Sequence, residues 1–141
     1  MNKAKQAKKR TIFVLSIDTE EEWDWSGPFP QRHGDVQNIL QVPAFQNVLS
    51  SFNIRPTYFV DYAVLETAQS VENMQRVIQQ RNSEIGAHLH PWCNPPYFGD
   101  VGEAQSHIIN LPVEEAAAKV KALVSKIKQT LDVTPKSFRS G

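Results

Sequence analysis

The chain has 141 residues, 40% of them hydrophobic, which suits one globular domain with a sizeable core. Fifteen basic residues balance fifteen acidic ones, and no stretch approaches the roughly 18 apolar residues of a membrane span, so neither nucleic acid nor a membrane is expected as a partner. A single cysteine, Cys93, excludes an internal disulfide framework and fits a reducing, cytoplasmic compartment.

Five of the basic residues, Lys3, Lys5, Lys8, Lys9 and Arg10, fall in the first ten positions, so residues 1–10 read as a disordered basic tail. Thr11 to Ile17 is apolar and follows this tail as a signal peptide core would. It is short, however, meets Asp18 at once and lacks a small-residue cleavage site, so export by it is not expected. Being rich in β-branched residues, the run reads instead as a strand buried on both faces, as in parallel sheets. It ends at Asp18, and Glu20 shares the parity of Asp18. Glu21, Glu22 and Asp24 read as a solvated acidic loop running into the turn residues 26–30.

Pro43 is placed to open a helix with Phe45, Val48, Leu49 and Phe52 at helical spacing and Asn53 at its close. Arg55 to Val60 reads as a second strand that also stops at an acid. That acid, Asp61, could be a ligand or a substrate contact, or could cap the next helix. From Ser70 to about Asn82 a second helix carries Val71, Met74, Val77 and Ile78 on one face. Ile85 to Leu89 is the third strand, with Gly86 and Ala87 small enough for close packing. Residues 91–106, broken by Pro91, Pro95, Pro96, Gly99 and Gly102, read as a loop on the substrate side. Pro112 starts a long helix whose apolar stripe, Ala116, Val120, Leu123, Val124, Ile127 and Leu131, lies opposite a solvated face of Lys119, Lys121, Lys126 and Lys128. Beyond Pro135, residues 136–141 open a fourth strand.

Three alternations of strand and helix argue for an α/β fold with a parallel sheet, whose functional residues gather at the carboxyl ends of the strands. Those ends carry Asp18 with Glu20, Asp61, His88 with His90, and Arg139. Side chains at i and i+2 of a strand point the same way, roughly 6.5 Å apart, so His88 and His90 could hold one metal ion. Two imidazoles and a carboxylate leave positions open for water, as catalytic zinc and non-haem iron sites require. A carboxylate not spent on the metal is free to act as a base, and Arg139 could keep it ionised through a bidentate pair. Cys93 reads as a packed thiol, and His33 and His107 fall in loops with weaker claims.

Ser16-Ile-Asp18-Thr-Glu20, Pro56-Thr-Tyr-Phe-Val60, Glu84-Ile-Gly-Ala-His88 and Phe138-Arg139, in this order and at these separations, resemble the polysaccharide deacetylase family, the NodB-homology domain of carbohydrate esterase family four. The resemblance spans about residues 11–141. It implies a distorted (β/α) barrel and the metal-dependent hydrolysis of N-acetyl groups on a carbohydrate, with zinc the expected ion. It further implies Asp18 as the base, Glu20 as the metal-binding carboxylate, His88 as the first ligand histidine and Arg139 as the residue that orients the base. Glu20 stands where the family more often has aspartate. Trp92, four residues after His88, stands where the family usually has its second ligand histidine. His90 is therefore expected to complete the metal set, and Asp61 and Trp92 to face the substrate.

The family's later motifs, a tryptophan-containing strand and a leucine-histidine pair, have no counterpart before Gly141. A closed barrel needs on the order of 200–250 residues. Three βα units and the start of a fourth strand are thus expected to form its N-terminal part, a partial domain over residues 11–141. Its open edges would invite self-association or a complementing C-terminal fragment. Two other readings stand beside this one: an inactive fragment or interaction module that retains the half-fold, and a different metal-dependent amidohydrolase. In the latter class the His-x-His pair normally leaves the first strand, whereas here it leaves the third.

Overall fold

The computed structural model describes residues 11–29 and 34–141; the basic tail and His33 lie outside the described residues. Four short strands, β1 (Ser16–Thr19), β2 (Thr57–Val60), β3 (Glu84–Leu89) and β4 (Phe138–Ser140), form one sheet in the spatial order β1-β2-β3-β4, every pair parallel. Between them run α1 (Val42–Ser51), α2 (Ala68–Gln79), the single turn α3 (Glu103–Ser106) and the long α4 (Val113–Leu131). Each crossover steps one strand further in the same direction, with no reversal of order such as a doubly wound sheet contains. Crossovers between parallel strands are right-handed as a rule, which sends successive helices to one face; the sheet curls into half of a barrel wall.

The register separates the two faces. Tyr58, Val60, Ile85, Ala87 and Leu89 share one parity and are buried with Met74 and Val77 of α2 and Leu123, Ile127 and Leu131 of α4. The opposite parity aligns Asp18 with Phe59 and Gly86, and, two residues further along, His88 with Arg139. Chemistry-bearing residues thus occupy the face that the helices leave free.

The helices end as their sequences dictate. Asn53, Arg81 and Asp132 adopt left-handed backbone angles near φ 55° just past α1, α2 and α4, which frees the chain to turn back towards the sheet. Asn53 closes α1 in the way its position suggests, its N–H reaching the Ser50 carbonyl at 3.0 Å.

Three expectations are corrected. The run from Thr11 does not form a doubly buried strand: β1 begins only at Ser16, and Ile12, Phe13 and Val14 are 83%, 72% and 78% exposed. Among the described residues β1 has β2 on one side and no strand on the other, so the run has no partner to bury it. On α1, Phe45, Val48 and Phe52 face outward, whereas Gln46 and Leu49 are buried. Gln46 turns the helix because it has polar partners inside: its Oε1 accepts from the Tyr58 hydroxyl at 2.8 Å, and its Nε2 donates to Ser50 Oγ and the Asn82 carbonyl. Lys119 does not join the solvated lysine face. It is buried, and its ammonium donates to the carbonyls of Pro91, Asn94 and Pro96 at 2.9, 2.6 and 2.8 Å, tying α4 to the loop that leaves β3. An ordinary amphipathic pattern cannot distinguish this lysine from its neighbours.

Gly86 is where the sheet has no room. A Cβ there would stand 2.6 Å from Phe59 Cδ1 and 2.7 Å from Ser137 Oγ, and Phe59 in turn lies 4.5 Å beneath the Arg139 guanidinium. Gly86→Ala is expected to lower unfolding free energy by about 1–3 kcal/mol, the usual cost of overpacking. Urea denaturation of the two proteins measures it, and equal midpoints would contradict the packing described.

Candidate metal centre

The end of β3 and the segment that leaves β1 meet at one place. His88 is in β3 and His90 lies just beyond it; their rings stand side by side, centroids 4.5 Å apart and inclined at 62°. Glu20 follows β1 and reaches across, its Oε2 2.9 Å from His88 Nε2 and 3.3 Å from His90 Nε2. The i, i+2 arrangement on a strand accounts for the paired imidazoles, and parallel pairing through β2 accounts for the carboxylate on the same side.

The outer ring nitrogens fix the orientation of both histidines. His88 Nδ1 faces the Arg139 carbonyl oxygen at 3.2 Å, and His90 Nδ1 faces both carboxylate oxygens of Glu21 at 3.1 and 3.0 Å. A carbonyl or carboxylate oxygen only accepts, so each Nδ1 carries the hydrogen and donates it. In the neutral rings each Nε2 then presents its lone pair to Glu20. Three acceptors converge on one point, an arrangement that requires a cation or added protons among them.

The acid–base balance of the metal-free site reflects that demand. Burial works against charge on His90, but its hydrogen bonds to Glu20 and Glu21 outweigh burial and raise its pKa to about 9. Burial likewise favours neutral Glu20, yet the hydrogen bonds from His88 and His90 prevail and lower its pKa to about 2. Glu21, opposed by burial, is held well below the ordinary carboxylate range by His90 and Asp61, and also accepts Trp92 Nε1–H at 2.7 Å. Asp61 moves the other way: complete burial and then the adjacent Glu21 carboxylate push it well up.

Two groups of ligand atoms, each within 4.8 Å of one another, could hold a metal ion: Glu20 with His88 and His90, and Glu21 with Asp61, His90 and Cys93. The first fits a cation better. Both of its Nε2 atoms point at the Glu20 carboxylate, where a cation could take the place of a proton, and the Glu20 side chain retains 23% of its exposure, which leaves an approach from solvent. In the second, every residue is buried, His90 offers an N–H that already serves Glu21, and the Asp61 oxygens already accept the N–H groups of Glu21 and Val64 at 3.2 and 2.9 Å. Burial also raises the Cys93 thiol pKa well above normal, with the Asp61 and Glu21 charges adding to it, so the thiolate is disfavoured.

The structure therefore brings Glu20, His88 and His90 together, with Asp18 and Arg139 beside them on the same face. Arg139 Nη1 lies 2.5 Å from Asp18 Oδ1, while Nη2 donates to Ser16 Oγ at 2.7 Å, so the guanidinium spans two partners instead of gripping one carboxylate in a bidentate pair. Asp61 is corrected: it is wholly buried and caps the turn after β2 through the Val64 N–H, out of a substrate's reach. Trp92 is buried too, stacked on His90 at 4.3 Å, and acts on the site by donating to Glu21 while one side of it lines a cavity. His107 lines that cavity without joining the ligand cluster.

Glu21 was hidden from the sequence, where it reads as part of a solvated run. Strand parity assigns it to the face opposite Glu20, but β1 ends at Thr19, and the irregular backbone before the isolated bridge of Glu22 with Asp35 turns both carboxylates inward. No spacing rule signals that departure.

No family model, no curated protein and no solved structure matches the chain.

Glu21→Gln removes the carboxylate that orients His90 while preserving side-chain shape. Such second-layer changes typically weaken metal binding by about 10–100-fold. Competition with a chromogenic zinc chelator is expected to show a loss of this size; unchanged affinity would mean that Glu21 does not support the ligand.

Proposed function

We propose that the chain carries the metal-binding part of a hydrolase of the polysaccharide deacetylase type, which cleaves N-acetyl groups from a carbohydrate. The observation that carries this reading is the convergence of His88 Nε2, His90 Nε2 and Glu20 Oε2, with both Nδ1 atoms anchored behind them. The ligand set of two imidazoles and one carboxylate suits zinc. Bound there, a divalent cation supplies Lewis acidity towards an amide carbonyl and a lowered pKa for water.

The protein's own groups would do the rest. Asp18 is the open carboxylate on this face, and it takes the proton of the attacking water as the general base. Arg139 holds Asp18 in place, braced from below by the Phe59 ring and to the side by Ser16. The same residue's carbonyl sets the His88 ring, so one backbone position aligns both the base and a ligand. The partner is an N-acetylated carbohydrate.

An interaction module is the second reading, favoured by the exposed apolar residues Ile12, Phe13 and Val14 before β1 and Phe45, Val48 and Phe52 on α1. On this reading a second copy or a complementing fragment covers that side. Among the described residues no helix is long and apolar enough to cross a membrane.

Zinc titration followed by calorimetry is expected to show one tight site, lost by more than about 100-fold in His88→Ala. The zinc-loaded chain is expected to release acetate from chito-oligosaccharides. No zinc binding, or binding unchanged in His88→Ala, would overturn the metal assignment. Zinc binding without acetate release would favour the interaction module.

Stability should follow the proton that the metal replaces. The pKa of His90 is raised from 6.5 to about 9, so its proton stabilises the metal-free fold fully below pH 6.5, and that contribution is lost as pH rises through about 9. The pKa of Glu20 is lowered from 4.5 to about 2, so its contribution is present above pH 4.5 and is lost as pH falls through about 2. In chelator, the melting temperature is expected to decline from pH 6.5 to 9, and added zinc to raise it most at the upper end. A flat profile in chelator would contradict the charge balance described.

A further inference from the structure

Beside the metal centre lies a cavity of about 360 Å³ whose walls are mainly aromatic, lined among the described residues by Trp23, Trp25, Phe29, Trp92, Glu103 and His107. Its volume falls within the usual range of about 300–1,000 Å³ for small-molecule sites. The four rings form one continuous cluster: Trp23 lies 4.4 Å from Trp25, 4.7 Å from Phe29 and 5.3 Å from Trp92, centroid to centroid.

The cavity reaches the histidines through its wall. Trp92, in its wall, stacks on His90 at 4.3 Å. Gly141 also lines it, and a Cβ at Gly141 would stand 2.5 Å from His90 Nε2, so the backbone in this part of the wall lies directly against that ring. A molecule seated against the rings would therefore lie next to the His90 ring.

The aromatic side chains reveal what kind of ligand they suit. Trp23 Nε1–H is spent on the Pro28 carbonyl at 3.1 Å, and Trp92 Nε1–H on Glu21 at 2.7 Å. What these two indoles offer is ring surface, not donors. Trp25 is 68% exposed, although a ring of its size contributes most when covered. The lining also includes Glu103, Ser106 and His107, residues with polar groups that can pair with hydroxyls. A ligand with a C–H face for the rings and a hydroxyl edge for Glu103 and His107 satisfies both. A pyranose ring is such a ligand, whereas a wholly apolar one would leave the carboxylate unpaired.

We propose that Trp23, Trp25, Phe29 and Trp92 form a stacking subsite for a pyranose ring of the carbohydrate, positioning its acylated neighbour at the Glu20, His88 and His90 centre. The choice of an N-acetylated sugar rests on the function proposed above; the stacking itself requires no catalysis.

The probe is chitotriose, added to the full 141-residue chain and followed by tryptophan fluorescence and by saturation-transfer NMR. Saturation is expected to pass from the protein to the sugar C–H protons, and Trp25→Ala is expected to weaken binding by roughly tenfold, the upper worth of one aromatic contact. Trp25 is exposed and is not a ligand, so zinc affinity in this variant should stay within about twofold of the parent, which also verifies that it folds. His88→Ala should lose zinc and keep chitotriose binding. The subsite is overturned if chitotriose does not bind, if it binds equally to Trp25→Ala, or if choline binds more tightly, which would make the pocket a cage for quaternary ammonium. Chitotriose binding that depends on Trp25, without acetate release, would sink the hydrolase reading and leave the subsite standing.

Discussion

Three acceptors aimed at one point repel one another unless positive charge lies between them. That constraint governs the region around His88 and His90. Each imidazole is held from behind by an oxygen that can only accept, so each ring is committed to offering its other nitrogen forward. Glu20 closes the third side. Without a cation the protein meets the demand with a proton, and the raised His90 pKa and lowered Glu20 pKa are two views of the same requirement. A metal ion that the cluster could hold would take the place of that proton, and its binding would be tied to pH.

Support for this arrangement comes in layers. Trp92 donates to Glu21, Glu21 orients His90, and Asp61 receives the Glu21 N–H while capping the following turn. On the other side, Arg139 fixes His88 through its carbonyl and Asp18 through its guanidinium. Buried polar groups so connected are costly to disturb singly, because each loss leaves a partner unpaired. The residues that orient His88, His90 and Glu20 are as much a part of the cluster as those three.

Much of this was legible in the sequence because strand parity and strand order are local rules. The three complete βα units, the parallel sheet, the exits at Asp18, His88, His90 and Arg139, and the close of α1 at Asn53 all follow from periodicity and turn chemistry. What escaped depends on irregular backbone or on tertiary partners. Glu21 turns inward only because β1 stops early; Gln46 displaces Phe45 and Val48 from the core only because Tyr58 and Asn82 await it. At Asp61 the strand-end position left a substrate contact and a cap both open, and the burial of its carboxylate beside the Val64 N–H decides for a cap of the turn. Trp92 followed its chain position into the site, but its role there, to steady a carboxylate, has no sequence signature.

Lys119 has a further consequence. Its ammonium is held by three carbonyl dipoles, and among the described residues it forms no ion pair with a carboxylate. Surface pairs such as Arg76 with Glu72 weaken as ionic strength rises, because mobile ions screen opposite charges across solvent. A buried cation ringed by dipoles has little solvent through which to be screened. The loop from Pro91 to Pro96 is therefore tethered to α4 by a contact that brine leaves largely intact, and the indole of Trp92 keeps its station beside His90 where an ordinary salt bridge would have let it drift.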